Sequence, residues 1–136
     1  MDNKFPGKDI SISDLKTKIP LCAKKNKNHK SIVKVKNISF GAKNIPVLAG
    51  PNVVENFRMI KSVGKFLKSI KICGLRGGAF KPLTFPYRSK KYNETREKGI
   101  EWLKEAKEKY KIPIITEVME EKYIPLVSEA TDIIQI

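Results

Sequence analysis

The fold and the candidate site are decided by one stretch, Leu75-Arg76-Gly77-Gly78-Ala79-Phe80-Lys81-Pro82-Leu83-Thr84-Phe85-Pro86-Tyr87. An apolar segment over residues 70–75 leads into it and is predicted to be a buried strand. Arg76 then supplies a planar cation and Lys81 a mobile one. Between them, Gly77-Gly78 opens positive φ angles and lets a ligand approach the backbone. This pattern is typical of a seat for a phosphorylated or carboxylated small molecule, and equally of a turn that happens to carry charge.

The composition is that of one globular domain. The chain has 136 residues, of which 40% are hydrophobic and 31% charged. No apolar run approaches the ~18 residues of a membrane span, and residues 1–6 lack the apolar segment of a secretion signal. Cys22 and Cys73 are too few for a disulfide framework, and Cys73 is expected to be a buried hydrophobe. A cytoplasmic location is therefore expected, without membrane attachment.

The charge is strongly basic, with 28 Lys and Arg against 14 Asp and Glu and a net charge of +14. Nucleic-acid binding is nevertheless disfavoured, because arginine is scarce and the lysines are scattered rather than gathered in one stripe. Residues 1–30 are expected to form a loosely ordered basic arm. Cys22 and His29 in this arm do not make a zinc site, which usually needs four ligands.

Strand and helix patterns alternate along residues 31–136. The predicted elements are, in order, a β-ribbon over 32–40, a strand over 45–49 buried on both faces, a helix over 57–70, the strand over 70–75, a helix capped by Asn93 with Glu94 in its first turn, a strand over 112–115, a short helix with Pro125 in its first turn, and a strand over 132–136. The apolar faces are predicted to hold Phe57, Ile60, Val63, Phe66, Leu67 and Ile70 in the first long helix and Ile100, Leu103, Ala106 and Tyr110 in the second. This alternation predicts a parallel sheet.

Polar residues stand where successive predicted strands end. They are Asn52, the segment from Arg76 to Thr84, Glu117 and Gln135. The carboxyl ends of parallel strands meet at one edge, where TIM barrels build active sites and open sheets form their crevice. Independent polar groups therefore mark one edge of the sheet as functional.

Four motifs together resemble one enzyme family. They are Val47-Leu48-Ala49-Gly50-Pro51-Asn52-Val53-Val54-Glu55, Leu75 to Thr84, Ile114-Ile115-Thr116-Glu117-Val118-Met119 and Asp132-Ile133-Ile134-Gln135-Ile136. In this order and spacing they are similar to 3-deoxy-7-phosphoheptulonate synthase (DAHP synthase), most closely its beta subtype, which shares a fold with 3-deoxy-octulosonate 8-phosphate synthase. The resemblance covers roughly residues 31–136.

The resemblance implies a TIM barrel and an aldol-type condensation of phosphoenolpyruvate with erythrose 4-phosphate, releasing phosphate, at the entry to aromatic amino-acid synthesis. It gives Arg76 and Lys81 the role of catalytic residues that hold phosphoenolpyruvate, within a substrate-binding segment that includes Gly77, Gly78 and Pro82. Thr84 would help to hold the sugar phosphate. Glu117 and Gln135 would line the floor of the site, either in contact with substrate or supporting residues that contact it.

Two positions depart from the family pattern. The family uses a divalent metal with a cysteine ligand where this chain has Asn52. No metal is expected in this chain, because a neutral amide cannot replace a thiolate. Asparagine here resembles the metal-independent octulosonate synthases. The family's Lys-Pro-Arg-Thr is Lys81-Pro82-Leu83-Thr84 here, and leucine cannot pair with the phosphate of erythrose 4-phosphate.

Four predicted strands are half of the eight that close a barrel. The expected fold is therefore α/β, a truncated half-barrel of the TIM (β/α)8 family with about four parallel strands and an N-terminal β-ribbon, over residues 31–136. One hypothesis is the N-terminal half of a DAHP synthase-like transferase, expected to be inactive as this chain. The other is a non-catalytic remnant that binds anions or pairs with another chain, and octulosonate 8-phosphate synthase-like activity is a further alternative. Open strand edges predict self-association.

Overall fold

The computed structural model describes residues 16–21, 23–81 and 94–136. The chain divides into two compact units, Met1–Val33 with Ser39–Ile45 and Lys34–Ile38 with Pro46–Ile136. In the described part of the first unit the backbone makes turns, including a hydrogen bond from the Ala23 N–H to the Ile19 carbonyl at 3.0 Å. None of the helices in the described ranges has the length and hydropathy needed to cross a lipid bilayer.

Two short strands form the predicted β-ribbon. β1 (Val33–Val35) and β2 (Ile38–Phe40) make a two-stranded sheet, and Lys36 in the turn between them has a φ of 52°. Gly41 follows with a φ of 80°, and a Cβ there would lie 2.2 Å from the Ser31 carbonyl oxygen. Only glycine fits this turn without strain.

The second unit alternates strands and helices as the sequence predicts. Its elements are β3 (Leu48–Ala49), α1 (Phe57–Ser69), β4 (Gly74–Arg76), α2 (Arg96–Tyr110), β5 (Ile114–Glu117), a 3₁₀ turn (Glu121–Tyr123), α3 (Ile124–Ala130) and β6 (Ile133–Gln135). The strands lie in the order β3-β4-β5-β6, and every neighbouring pair is parallel. The predicted parallel α/β architecture is confirmed.

The helices bury one face of this sheet. α1 packs against α2 and α2 against α3, and the side chains between helices and sheet include Ile60, Leu67, Leu75, Ile100, Leu103, Ile114 and Val127, each at most 4% exposed. Gly64 belongs to the same stripe of α1, because a Cβ there would lie 2.7 Å from the ring of Tyr110 in α2. The small residue allows the two helices to approach closely.

The expectation that residues 45–49 form a strand buried on both faces is wrong. β3 is only Leu48–Ala49, while Ile45 is 89% and Val47 51% exposed. In the described sheet β3 pairs with β4 alone, so its outer side has no neighbour to cover it. A continuous apolar run does not distinguish an edge strand from a central one.

The strand predicted over residues 70–75 begins later than expected. Ile70 is the C-cap of α1, its N–H donates to the Phe66 carbonyl at 3.2 Å, and Lys71 has a φ of 58°. Phe66 and Ile70 are both exposed, so their assignment to the apolar face of α1 is also wrong. The buried stripe follows Ile60, Gly64 and Leu67, at spacings of four and three.

The start of α2 also differs from the prediction. Asn93, the predicted N-cap, lies outside the described residues, and Glu94 precedes the first helical residue, Arg96. The N-cap position is Thr95, whose hydroxyl donates to the Val54 carbonyl at 2.8 Å instead of capping the helix. This long-range contact anchors the start of the helix to the segment after β3. The predicted apolar face of α2 is confirmed at Ile100, Leu103 and Ala106. Outside this helix, Cys73 was expected to be buried and is half-buried.

Asp132 ties several elements together where β6 begins. Its carboxylate accepts the Ile114 N–H at 2.9 Å and forms salt bridges with Lys36 at 2.7 Å and Lys107 at 3.1 Å, with only 5% of the side chain exposed. Burial acts to raise the pKa of Asp132. The contacts with Lys36, the Ile114 N–H and Lys107 outweigh it and hold that pKa below its usual range.

Replacing Asp132 with asparagine is expected to lower the free energy of unfolding by roughly 1–3 kcal/mol at neutral pH, because charge-assisted hydrogen bonds are lost. A folded-state pKa below the unfolded value gives stability that is fully present above about pH 3.9 and is lost as the pH falls through the folded pKa. Urea unfolding of both proteins should therefore show the difference shrinking in acid. Glu129→Gln, which removes an exposed ion pair with Lys104, is the control and should change little.

Candidate functional site

The polar residues singled out in the sequence lie at the carboxyl ends of the four strands. Arg76 ends β4, Glu117 ends β5 and Gln135 ends β6, while Asn52 follows β3. Glu117 and Gln135 are direct partners in the parallel register. The expectation that these residues occupy one edge of the sheet is confirmed.

Arg76 is held against the segment that follows β3. Its Nη1 donates to the Asn52 carbonyl at 2.8 Å, to Asn52 Oδ1 at 3.2 Å and to the Pro51 carbonyl at 3.3 Å. This approach depends on Gly50, which has a φ of 153° and whose Cβ would lie 1.9 Å from the Arg76 carbonyl oxygen. The glycine thus allows the ends of β3 and β4 to come together.

Glu117 joins the two cations of the candidate site. Its Oε1 lies 3.4 Å from Arg76 Nη2 and its Oε2 lies 3.4 Å from Lys81 Nζ. The residue is only 7% exposed, so its carboxylate is largely removed from water and requires such partners. The structure therefore brings Arg76, Lys81 and Glu117 into one cluster, with Asn52 bound to the other terminal nitrogen of the arginine.

The cluster retains donors for a further anion. Two cations and one carboxylate leave one net positive charge, and both contacts to Glu117 are longer than the usual 2.7–2.9 Å of charge-assisted bonds. The Nε–H and one Nη2–H of Arg76, and the remaining N–H groups of Lys81, have no partner among the described residues. With 20% and 26% of their side chains exposed, both cations are accessible to a solute.

Gly77 and Gly78 differ from expectation in their conformation and surroundings. Neither has a positive φ. A Cβ on Gly77 would lie 2.9 Å from Val54 Cγ2, and one on Gly78 would lie 2.6 Å from both the Asn52 carbonyl oxygen and Glu117 Oε1. The space beside each glycine is therefore filled by the protein, and the glycines serve close packing under the cluster rather than left-handed turns.

Two hydrogen bonds hold the backbone carbonyl groups of the same two glycines. The Thr116 hydroxyl donates to the Gly77 carbonyl at 2.6 Å, and the Val54 N–H donates to the Gly78 carbonyl at 2.9 Å. Because buried backbone groups need such partners, the loop that carries Lys81 leaves the sheet in a defined direction.

Of the remaining predicted site residues, Gln135 alone lies within the described ranges, and it is not part of this cluster. Gln135 is exposed, and its side chain makes no hydrogen bond with the described residues, although its carbonyl accepts the Val118 N–H at 3.4 Å. Pro82 and Thr84 lie outside the described residues, as does Leu83.

The surroundings of Asn52 do not fit the metal that the family resemblance implies. Its amide oxygen already accepts a hydrogen bond from the Arg76 guanidinium, and a neutral amide beside a fixed cation is an unfavourable ligand for a second cation. Within the described ranges there is also no cluster of three or more His, Cys, Asp or Glu side chains arranged for a metal ion.

A group that sequence reasoning missed lies beside the cluster. The Arg96 guanidinium stands 5.5 Å from the ring centroid of Phe80 and 5.2 Å from that of Tyr123, and its Nη2 donates to the Tyr123 hydroxyl. This hydrogen bond is the main reason that the pKa of Arg96 is raised, against an opposing effect of desolvation. The three residues are far apart in sequence, so no local motif marks them.

Parallel strands covered by helices, with cations at the carboxyl ends, are the features of an α/β fold that TIM barrels share with open parallel sheets. A model of the family described as the DAHP synthetase I family matches residues 20–136. This chain belongs to the DAHP synthetase I family. The match begins at residue 20, inside the stretch expected to form the basic arm.

Individual relatives agree with this assignment. The chain is 37% identical over 106 residues to the phospho-2-dehydro-3-deoxyheptonate aldolase of Thermotoga maritima, a match that covers 78% of this chain and 30% of that protein. It is 35% identical over 100 residues to 2-dehydro-3-deoxyphosphooctonate aldolase 1 of Arabidopsis thaliana, covering 66% of this chain and 32% of that protein.

Solved structures show the same fold. The crystal structure of the T. maritima phospho-2-dehydro-3-deoxyheptonate aldolase (DAHP synthase) matches with a TM-score of 0.70 and 35% identity, over 79% of this chain and 31% of that chain. A truncated T. maritima 3-deoxy-D-arabino-heptulosonate 7-phosphate synthase matches with a TM-score of 0.64 and 32% identity, over 79% and 36%. The chain spans about a third of the length of these relatives.

Gly78→Ala is expected to destabilise the protein by roughly 1–3 kcal/mol, because the added methyl group must displace backbone or the buried Glu117 carboxylate. Urea unfolding measures the change. Gly64→Ala is the comparison variant: its Cβ would also make a close contact, at 2.7 Å, but with the side chain of the half-buried Tyr110, which can move, and not with backbone. A smaller loss is expected there, because alanine also favours the helix. Equal losses in the two variants would show that the packing beneath the cluster is not specially restrictive.

Proposed function

We propose that this chain binds phosphoenolpyruvate through Arg76 and Lys81, as its part in a DAHP synthase-type condensation with erythrose 4-phosphate at the entry to aromatic amino-acid synthesis. The observation that carries the proposal is the Arg76–Glu117–Lys81 cluster, which has one net positive charge and N–H donors without a partner among the described residues, at an accessible edge of the sheet. Membership of the DAHP synthetase I family supports the choice of reaction.

The chemistry of the substrate suits these groups. Phosphoenolpyruvate carries a phosphate and a carboxylate, both of which accept hydrogen bonds in pairs. Arg76 offers a planar edge with an Nε–H and an Nη2–H, a geometry that matches the phosphate or the carboxylate. Lys81 offers a compact positive charge on a flexible side chain. In the overall reaction the two substrates are joined by a carbon–carbon bond, one water molecule is consumed and phosphate is released. Neutralising the anions is the contribution of this part of the site.

Glu117 has a supporting role in this proposal. A carboxylate repels an anionic substrate, and burial leaves it little access to one. Its contacts with both cations reduce their mutual repulsion and hold them on one side of the sheet. Of the two roles left open by the sequence, the geometry favours support of the substrate-binding residues over direct contact.

The second substrate is less well matched. Leu83 replaces the arginine of the family pattern, so an anionic sugar phosphate has one charge-assisted partner fewer, worth roughly 1.5–3 kcal/mol. A second candidate, an octulosonate 8-phosphate synthase-like reaction, is favoured by Asn52 and by the similarity to the Arabidopsis 2-dehydro-3-deoxyphosphooctonate aldolase 1. Both reactions use the same proposed phosphoenolpyruvate site.

Arg76→Ala is expected to abolish phosphoenolpyruvate binding by the 136-residue chain, measured by titration calorimetry at low salt, because the bidentate donor is removed. Arg76→Lys should bind weakly, since it keeps the positive charge but lacks the two parallel N–H donors of the guanidinium. Arg58→Ala, which removes an exposed arginine of α1, is the control for net charge. Binding by Arg76→Ala at the wild-type affinity would remove Arg76 from the site.

A non-catalytic function remains a distinct proposal, in which the chain pairs with another chain through its strand edges. In the described sheet, β3 and β6 each have a single neighbour, and unpaired edges favour strand addition. Val47 beside β3 and Ile136 after β6 are both exposed.

Self-association of the chain is therefore expected in light-scattering measurements, with a mass above that of the monomer. Val47→Lys should reduce it, because a charged side chain at a strand edge disfavours pairing. Phe66→Lys places the same charge on an equally exposed apolar residue of α1 and should leave the mass unchanged. A monomeric wild-type chain would exclude this function.

A further inference from the structure

Arg96 connects the two loops that follow β4 and β5. Its backbone N–H donates to the Ala79 carbonyl at 2.9 Å, and its guanidinium lies over the ring of Phe80, the residue before Lys81. The same guanidinium lies over Tyr123 and donates to its hydroxyl. The Phe80 and Tyr123 rings also contact each other, with centroids 4.4 Å apart.

The backbone of Arg96 is in an unusual conformation. Its φ is 48°, in the left-handed region, at the first residue of α2. A residue with a side chain is strained there, whereas glycine is not. Such strain persists where surrounding contacts outweigh it, and it is a reason to look for a role in the site. The contacts that hold Arg96 here include the backbone hydrogen bond to Ala79 and those with Phe80 and Tyr123.

Arg96 is not placed to bind an anionic substrate. Carboxylate oxygens of Glu94, Glu97 and Glu120 lie 3.6 Å, 3.8 Å and 3.9 Å from its guanidinium nitrogens. Lys122 also pairs with Glu120, so three carboxylates stand around two cations. A local excess of negative charge remains, which repels phosphate. The arrangement therefore suits a cation held in place by protein groups.

We propose that Arg96 is a positioning residue for Lys81. By fixing Ala79 and Phe80 against Tyr123, it sets the point from which the Lys81 side chain extends toward Glu117. The aromatic contacts act on the residue next to Lys81 in the chain, and Tyr123 belongs to the connection that begins at Glu117. The role in substrate binding rests on the proposed phosphoenolpyruvate site, whereas the position of Lys81 can be measured without it.

The test compares Arg96→Gly, Arg96→Lys and Tyr123→Phe with wild type. Glycine at residue 96 accepts the left-handed φ without strain. The midpoint of thermal unfolding should therefore be retained, while the contacts of the guanidinium with Phe80 and Tyr123 are lost. Lys81 should then react several-fold faster with an amine-acetylating reagent, followed by peptide mass spectrometry with Lys104 as internal reference. Phosphoenolpyruvate affinity, measured by calorimetry, should fall roughly tenfold.

The other two variants should change Lys81 reactivity and phosphoenolpyruvate affinity by smaller amounts. Arg96→Lys should recover part of both readouts because it keeps a cation over the rings, and Tyr123→Phe should show a smaller loss because it removes only the hydroxyl. Lys98→Ala is the matched control, since Lys98 also lies over an aromatic ring, that of Trp102, on the same helix. It should leave Lys81 reactivity and affinity unchanged.

The outcomes separate this inference from the proposed function. Unchanged Lys81 reactivity in Arg96→Gly, with Arg76→Ala still losing phosphoenolpyruvate, overturns the positioning role and leaves the proposed function standing. A wild-type chain that does not bind phosphoenolpyruvate, together with faster Lys81 acetylation in Arg96→Gly, supports the positioning role and rejects the proposed function for this chain.

Discussion

The buried carboxylate of Glu117 is the group on which the candidate site depends. Two cations a few ångströms apart repel each other, and a carboxylate largely out of water is unfavourable without positive partners. Arg76 and Lys81 meet at opposite oxygens of this carboxylate, so the carboxylate lowers the cost of bringing the two cations together and the cations lower the cost of burying the carboxylate. The pairing holds the cations together and leaves other N–H donors of both without a partner among the described residues.

The parallel register explains how residues distant in sequence reach this arrangement. Arg76 pairs with Ile115, and alternation along β5 places Glu117 on the same face as Ile115. A Cβ on Gly74 would meet Ile115 and Leu48 side chains, so these residues share this face. The residues that pack against the helices are their neighbours Leu75 and Ile114, and Ile115 is not part of that core, so this face is the one away from the helices. The site is therefore built on the face that lies inside the barrel in this class of fold.

Local patterns predicted much of this structure. Alternating strands and helices, the buried face of α2 and the edge that carries Arg76 and Glu117 follow from spacing and from the geometry of parallel strands. The start of β4, the packing around Gly77-Gly78 and the left-handed Arg96 did not follow, because tertiary contacts decide them. An apolar Ile70 fits a strand and a helix end equally well, and a glycine pair does not reveal which atoms fill its space.

The substitution at Asn52 changes what holds Arg76 in place. A thiolate at this position would bring a negative charge beside the guanidinium and draw it from Glu117, unless a metal neutralised the sulfur. The neutral amide instead accepts one hydrogen bond through Oδ1, while its backbone carbonyl accepts a shorter one. The main support of Arg76 on this side thus comes from the backbone, which is independent of the side chain at residue 52. The geometry of the cation pair can therefore be kept whether or not the family's metal ligand is present.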